Sequence, residues 1–359
     1  MIQKRAVVFI VLVFLSACSV QEEDTPLEPL TQDRSSSQIN TKPCGDGVCD
    51  SIEQEGNGCP EDCENTDISL ETKSSDEQWW PDSNGAWSGN LILASSEDGL
   101  TFTQGETLIQ YGGVPNLLYT SQGQLIATYQ YFSREDESLY DVIAYSVSED
   151  EGETWTEPQI LTFEGLPEAT TGNKNGEMFV TKAVDPTLVE TSEGGLRLYF
   201  TYQSVDEAYA RLASAYSQNG DISSSFVYEK GERPILEDGP MLDPSAVFFE
   251  EMWHHYSWDM DSTNNYHSVS KDGVNFELQD NIENLDMDFL GQVVVAGDGL
   301  RFYGTGKGIS SAFSEDGYTW EMEEGKRLST GADPGVAQLA DGSYIMLYTS
   351  GNFNQAPKN

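Results

Sequence analysis

Ser148-Glu-Asp-Glu-Gly-Glu-Thr-Trp155 is the stretch on which the fold turns. Its spacing suits a tight reversal: Asp side-chain oxygens accept backbone N–H groups, Gly takes a positive φ, and the aromatic packs once the chain has turned. Three stretches repeat it with one residue missing, Ser96-Glu-Asp-Gly-Leu-Thr-Phe102, Ser270-Lys-Asp-Gly-Val-Asn-Phe276 and Ser314-Glu-Asp-Gly-Tyr-Thr-Trp320, and Ser217-Gln-Asn-Gly-Asp221 is a degenerate fifth. Each follows a short alternating strand, as in Val142-Ile-Ala-Tyr-Ser-Val147. Repetition of this kind implies one supersecondary unit used several times.

A second element recurs out of phase with the first. A strand opens with Pro at Val114-Pro115, Asp185-Pro186, Asp243-Pro244 and Asp333-Pro334, with a degenerate copy at Leu290-Gly291-Gln292. An aromatic-rich strand follows each, among them Leu196-Arg-Leu-Tyr-Phe-Thr-Tyr202 and Trp253-His-His-Tyr-Ser-Trp258. Pro as the first strand residue removes no ladder donor. Five openings and five turns predict an all-β fold, a five-bladed β-propeller of four-stranded blades over residues 81–359, with six blades as the alternative. The chain enters on a turn-bearing strand near Leu91 and leaves near Thr349, so one blade is expected to be shared by its two ends.

The turn element resembles the Asp-box, or BNR repeat, of sialidases, and Gly112-Gly-Val-Pro-Asn116 resembles the start of their first blade with Gly113 where an Arg would stand. Five blades with Asp-Pro openings are similar to the arabinanase and fructosidase group of five-bladed sugar enzymes. That resemblance implies a glycosidase working with a protonated and an ionised carboxylate. In a propeller the inner strands start at one rim of a common funnel. Asp185, Asp243 and Asp333 are therefore the candidate catalytic residues, with Asn116 and Gln292 expected at the corresponding positions of the other two blades. Asn116 on its inner strand and Tyr131, Tyr202, Gln203, Trp258, Asp259 and Lys307 from loops on the same rim are the candidate sugar-binding groups, and the long 164–183 connection brings Glu168, Asn173 and Glu177. A glycan-recognition propeller that has lost its acid and base is the competing reading, and an exo-sialidase a third.

The N-terminus sets an address. Lys4 and Arg5 precede an apolar run over residues 6–15, too short to span a bilayer, and Leu15-Ser16-Ala17-Cys18 resembles a bacterial lipobox with Cys18 as lipid acceptor. Residues 1–18 therefore read as a lipoprotein signal and 19–41 as a flexible linker. Residues 42–65 read as a Cys-rich module, and 66–80 as a second, acidic linker. Cys44, Cys49, Cys59 and Cys63 are expected to form two disulfides of unspecified pairing in an exported chain. Asp46, Asp50, Glu53 and Asp62 offer hard oxygen ligands to calcium there, while the propeller is expected to need no cofactor. The expected location is the cell envelope or outer surface, with lipid as the only membrane contact.

Charge limits the partners. The chain has 61 Asp and Glu against 18 Lys and Arg, a net −43, which repels nucleic acid and anionic lipid. A monomer is expected, with carbohydrate as the ligand. His254, His255 and His267 are expected to pack in the core, and neither a phosphate-binding Gly-rich loop nor a Ser nucleophile elbow is present in the sequence.

Overall fold

The computed structural model describes residues 86–170, 182–231, 240–258, 265–283 and 285–351, all within Gln78–Asn359, the second of the two units into which the chain divides. Cys18, the four module cysteines, Asp46, Asp50, Glu53, Asp62, Asn173, Glu177 and Asp259 lie outside the described residues.

The strands are β1 (Asn90–Ser96), β2 (Thr103–Gln110), β3 (Gly112–Tyr119), β4 (Leu125–Phe132), β5 (Tyr140–Ser148), β6 (Gln159–Ile160), β7 (Phe163–Glu164), β8 (Val184–Glu190), β9 (Leu196–Tyr202), β10 (Arg211–Ser217) and β11 (Phe226–Glu229). They continue as β12 (Leu242–Phe249), β13 (Met252–Trp258), β14 (Asn265–Ser270), β15 (Glu277–Leu278), β16 (Asp288–Ala296), β17 (Gly299–Gly306), β18 (Gly308–Ser314), β19 (Glu321–Met322), β20 (Ala332–Gln338) and β21 (Tyr344–Thr349). They make five blades: β3-β4-β5-β6, then β8-β9-β10-β11, β12-β13-β14-β15, β16-β17-β18-β19, and a fifth in the order β20-β21-β1-β2. The chain is a five-bladed β-propeller. Blade 2 departs from four strands because β7 pairs parallel with β11, Phe226 opposite Phe163. The fifth blade joins the two ends: Leu91 faces Thr349 and Ser96 faces Tyr344 along one antiparallel ladder, and Ser350 N–H donates to the Asn90 carbonyl.

Burial follows radial position. Second strands lie between two neighbouring blades and are largely buried on both faces, and in Leu196–Tyr202 every residue is buried. Outer strands β6, β15 and β19 are two residues long, which leaves little unpaired edge to recruit another chain.

The repeated turns work as their composition implies. In Ser314–Trp320 the Asp316 carboxylate accepts the N–H groups of Tyr318 and Thr319 at 2.8 and 2.7 Å, and Ser314 Oγ accepts Gly317 N–H at 2.8 Å. Hydrogen bonding holds Asp98 and Asp150 down at about 2. Three of the turns are also tied to the preceding blade. Tyr199, Tyr256 and Tyr303 donate to the carbonyls of Gly273, Gly317 and Gly99 at 2.8 Å, while Phe276, Trp320 and Phe102 meet the same tyrosines edge-on. Blade 1 faces Leu347 instead, and Trp155 Nε1 caps Gly152 within its own turn at 3.1 Å. His254 and His267 stack on Tyr256 in this layer, with ring nitrogens 3.1 Å apart, and His255 meets Ser268, so the histidines sit in the core.

The inner strands close on the axis through a polar ring. Asn116 Oδ1 accepts Leu188 N–H, Thr187 donates to the Pro244 carbonyl, and Ser245 Oγ accepts Val293 N–H. Gln292 accepts from Leu117 and Val336 and donates back to Leu117. Gly335 is pressed between these strands, where a Cβ would lie 2.7 Å from the Pro115 carbonyl oxygen and 2.8 Å from Asn116 Cα. Backbone cannot give way there as a side chain can, so Gly335→Ala is expected to cost about 2–3 kcal/mol. A denaturant midpoint within error of wild type would contradict that closure.

Candidate functional site

All five inner strands break register at the same place, between Gly113 and Asn116, Val184 and Thr187, Leu242 and Ser245, Asp288 and Gly291, and Ala332 and Gly335. Such bulges bend a strand and re-aim a side chain. The bulged residue before each proline has a left-handed φ: +47° at Val114, +53° at Asp185, +51° at Asp243 and +47° at Asp333. Asp tolerates this region, whereas β-branched Val does so only under strain. The expected correspondence with Asn116 and Gln292 is therefore displaced. Val114 and Leu290 occupy the Asp places in blades 1 and 4, and Asn116 and Gln292 belong to the axial ring two residues further along.

Backbone and hydroxyl groups hold the three aspartates. Thr201 Oγ accepts Asp243 N–H at 3.2 Å, Thr305 Oγ accepts Asp333 N–H at 2.8 Å and Thr349 Oγ accepts Val114 N–H at 3.1 Å, so each threonine links its blade to the next. Thr201 also hydrogen-bonds the Asp185 carboxylate, and Thr349 that of Asp333. Asp333 is 9% exposed, and Asp185 and Asp243 are half-buried. Burial pushes Asp185 up to about 6 and Asp333 up to about 7, the latter also through the Asp185 charge. Asp243 is raised well above the ordinary carboxylate range by burial and by Asp185 and Asp333 together. The three carboxyls thus form one electrostatic cluster contributed by blades 2, 3 and 5.

Two further acids that the sequence reading did not single out are raised by burial, and one of them, Asp141, acts on Asp185. Asp141, beside the β4–β5 irregularity, is raised by burial and sits 2.8 Å from Gln130 Nε2. Asp288 at the head of β16 is raised by burial and has Trp258 as its neighbour. Trp258 thereby lies at the rim, and exposed Lys307 is at the tip of the β17–β18 hairpin on that side. The other candidates have packing duties. Tyr131 lines a cleft with Leu108, Ile109 and Trp155 between blades 5 and 1. Tyr202 is buried and donates to the Pro167 carbonyl, and Gln203 Nε2 holds the carbonyls of Glu207 and Ala208. Glu168 is exposed on the segment these two residues anchor.

An arginine cluster for a substrate carboxylate is not assembled among the described residues. Arg197 and Arg301 occupy equivalent places in blades 2 and 4, each gripping a Glu at its blade's outer edge at 2.8 Å, Glu229 at the end of β11 and Glu323 just after β19. Arg134, Arg211 and Arg327 donate to the carbonyls of Trp87, Ala210 and Glu324. No group of three His, Cys, Asp or Glu among the described residues is arranged to hold a metal ion.

No protein-family model and no curated protein matches the sequence. Among solved structures, the chain is similar to a protein of unknown function from Dyadobacter fermentans, at 13% identity and TM-score 0.47, covering 73% of this chain and 84% of that one. It is also similar to a family 117 glycoside hydrolase from the marine bacterium Zobellia galactanivorans (13%, TM-score 0.43, 77% and 89%) and to a thermostable family-43 glycoside hydrolase (13%, TM-score 0.45, 67% and 88%).

Proposed function

We propose that this chain is a carbohydrate-binding propeller that hydrolyses glycosidic bonds with the funnel carboxylates, and that Cys18 tethers it by lipid to the cell envelope. One observation supports the hydrolytic reading above the others. Asp185, Asp243 and Asp333 are held on left-handed bulges, partly desolvated and facing like charges, an arrangement that opposes folding at three positions at once. In this reading Asp243, the carboxyl flanked by two others and raised well above the ordinary carboxylate range by burial and by Asp185 and Asp333, gives its proton to the departing sugar oxygen. Asp185 is ionised above about 6 and takes a proton from the attacking water. The binding of the described arginines to Glu side chains and backbone carbonyls favours sugars without a carboxylate.

The test is to incubate the full chain with neutral oligosaccharides and nitrophenyl glycosides between pH 4 and 8. Turnover with an acidic limb near pH 6 is expected, following Asp185. Binding without turnover would leave a recognition propeller in its place. Neither binding nor turnover on any member of the panel would remove the carbohydrate reading.

A further inference from the structure

Blade 1 lacks the carboxylate that blades 2, 3 and 5 carry on their inner strands, because Val114 stands at the bulge. A second irregularity in the same blade sits close by. Between β4 and β5, Tyr131 faces Val142 and Phe132 faces Tyr140, so Asp141 is the extra residue between them. Its φ of +57° repeats the left-handed conformation of Asp185, Asp243 and Asp333. An unpaired residue in this conformation at a strand's first turn is how a bulge redirects one side chain.

We propose that Asp141 is a positioning residue of the funnel, supplying from the third strand of blade 1 the carboxylate missing from its inner strand and facing Asp185 as a charged neighbour. Two contacts place it. Gln130 Nε2 donates to Asp141 Oδ1 at 2.8 Å, and Gln130 occupies the second-strand position that Thr201 and Thr349 hold in blades 2 and 5. Lys182, three residues before Asp185, reaches over to donate from Nζ to the carbonyl of Tyr140, the residue preceding Asp141. The Asp141 charge in turn acts on Asp185.

The charged and titratable groups around Asp141 are Lys182 and Asp185 from the segment entering blade 2, and Tyr140 beside it, towards which Arg134 is also directed. Gln130 and Lys182 favour the ionised form of Asp141 against its burial. An ionised Asp141 makes Asp185 a stronger proton acceptor, and only this last consequence rests on the hydrolytic reading above. In that step the water oxygen bonds to the anomeric carbon as the glycosidic C–O bond breaks, one water proton passes to Asp185, and the departing oxygen takes the proton of Asp243.

The experiment is a carboxyl titration by NMR on the full chain with labelled aspartate, in wild type, Asp141→Asn and the double variant Val114→Asp/Asp141→Asn. Asn keeps an acceptor for Gln130 and tolerates a positive φ, so the single variant is expected to fold. The titration of Asp185 is expected to fall by roughly half a pH unit or more in Asp141→Asn, as a neighbouring like charge is removed. It should move back when Val114→Asp restores a carboxylate to blade 1. An unmoved Asp185 titration in a folded Asp141→Asn chain would overturn the proposal. Turnover is read separately: in an active enzyme the acidic limb of kcat/KM shifts with Asp185. A moved titration without turnover in wild type sinks the hydrolytic reading and leaves the positioning role standing.

Discussion

Asp333→Asn is expected to unfold several degrees above the wild-type chain at pH 8 and close to it at pH 4. The native carboxyl titrates at about 7 against an ordinary 3.8, so the folded state binds this proton more tightly than the unfolded one. Its cost is absent below about pH 4, grows as pH rises through that interval and is complete above about 7. Three units correspond to a ceiling of about 4 kcal/mol, part of which Asp333 shares with Asp185 and Asp243. Asn keeps an oxygen for Thr349 and is at ease at a φ of +47°, so removal of the charge is the main change. Calorimetry of both proteins at the two pH values checks this. A variant less stable than wild type at pH 8 would make Asp333 a strand-entry cap. Asp98 and Asp150 have the opposite sign: they contribute stability above about pH 4 that is lost as pH falls through about 2.

Tyr256→Ala is expected to be the most damaging single substitution in the packing between blades. The ring is fully buried and meets Trp320, Phe289, Phe302 and His267, while its hydroxyl caps the Gly317 carbonyl. Truncating a buried aromatic of this kind costs about 3–5 kcal/mol. In a domain of this size that lowers Tm by roughly five to nine degrees. Tyr256→Phe keeps the ring and loses only the cap, for about 1–2 kcal/mol. Equal losses from both variants in urea unfolding would locate the stabilisation in the hydroxyl and contradict the packing account.

The blade plan was legible because a turn that needs Ser, Asp and Gly at fixed intervals leaves its mark on the sequence. Asp316, Gly317 and Trp320 do what their types imply, and closure of the ring followed from the order of turns and Pro openings. Residues assigned to the rim loops were harder to read. Tyr131, Tyr202 and Gln203 are near the right rim, but a strand sends neighbouring side chains to opposite faces, and these three face the layers between blades or their own loop. The displacement at Asn116 could have been found by aligning prolines, since Pro115 matched to Pro186 puts Val114 opposite Asp185. Asp141 left no such mark. Its position depends on a bulge, and an extra residue in a strand pair is invisible until the partner register is known.

Turnover by Asp243→Asn and Asp185→Asn on the best glycoside of the panel, beside wild type, tests the central claim most directly. At pH 6.5, a loss of at least about a hundredfold in kcat is expected for each, the ordinary scale for removing a general acid or base. Unchanged far-UV circular dichroism and a Tm no lower than wild type would accompany it. Wild-type turnover in both variants would contradict the claim that these carboxyls carry the chemistry.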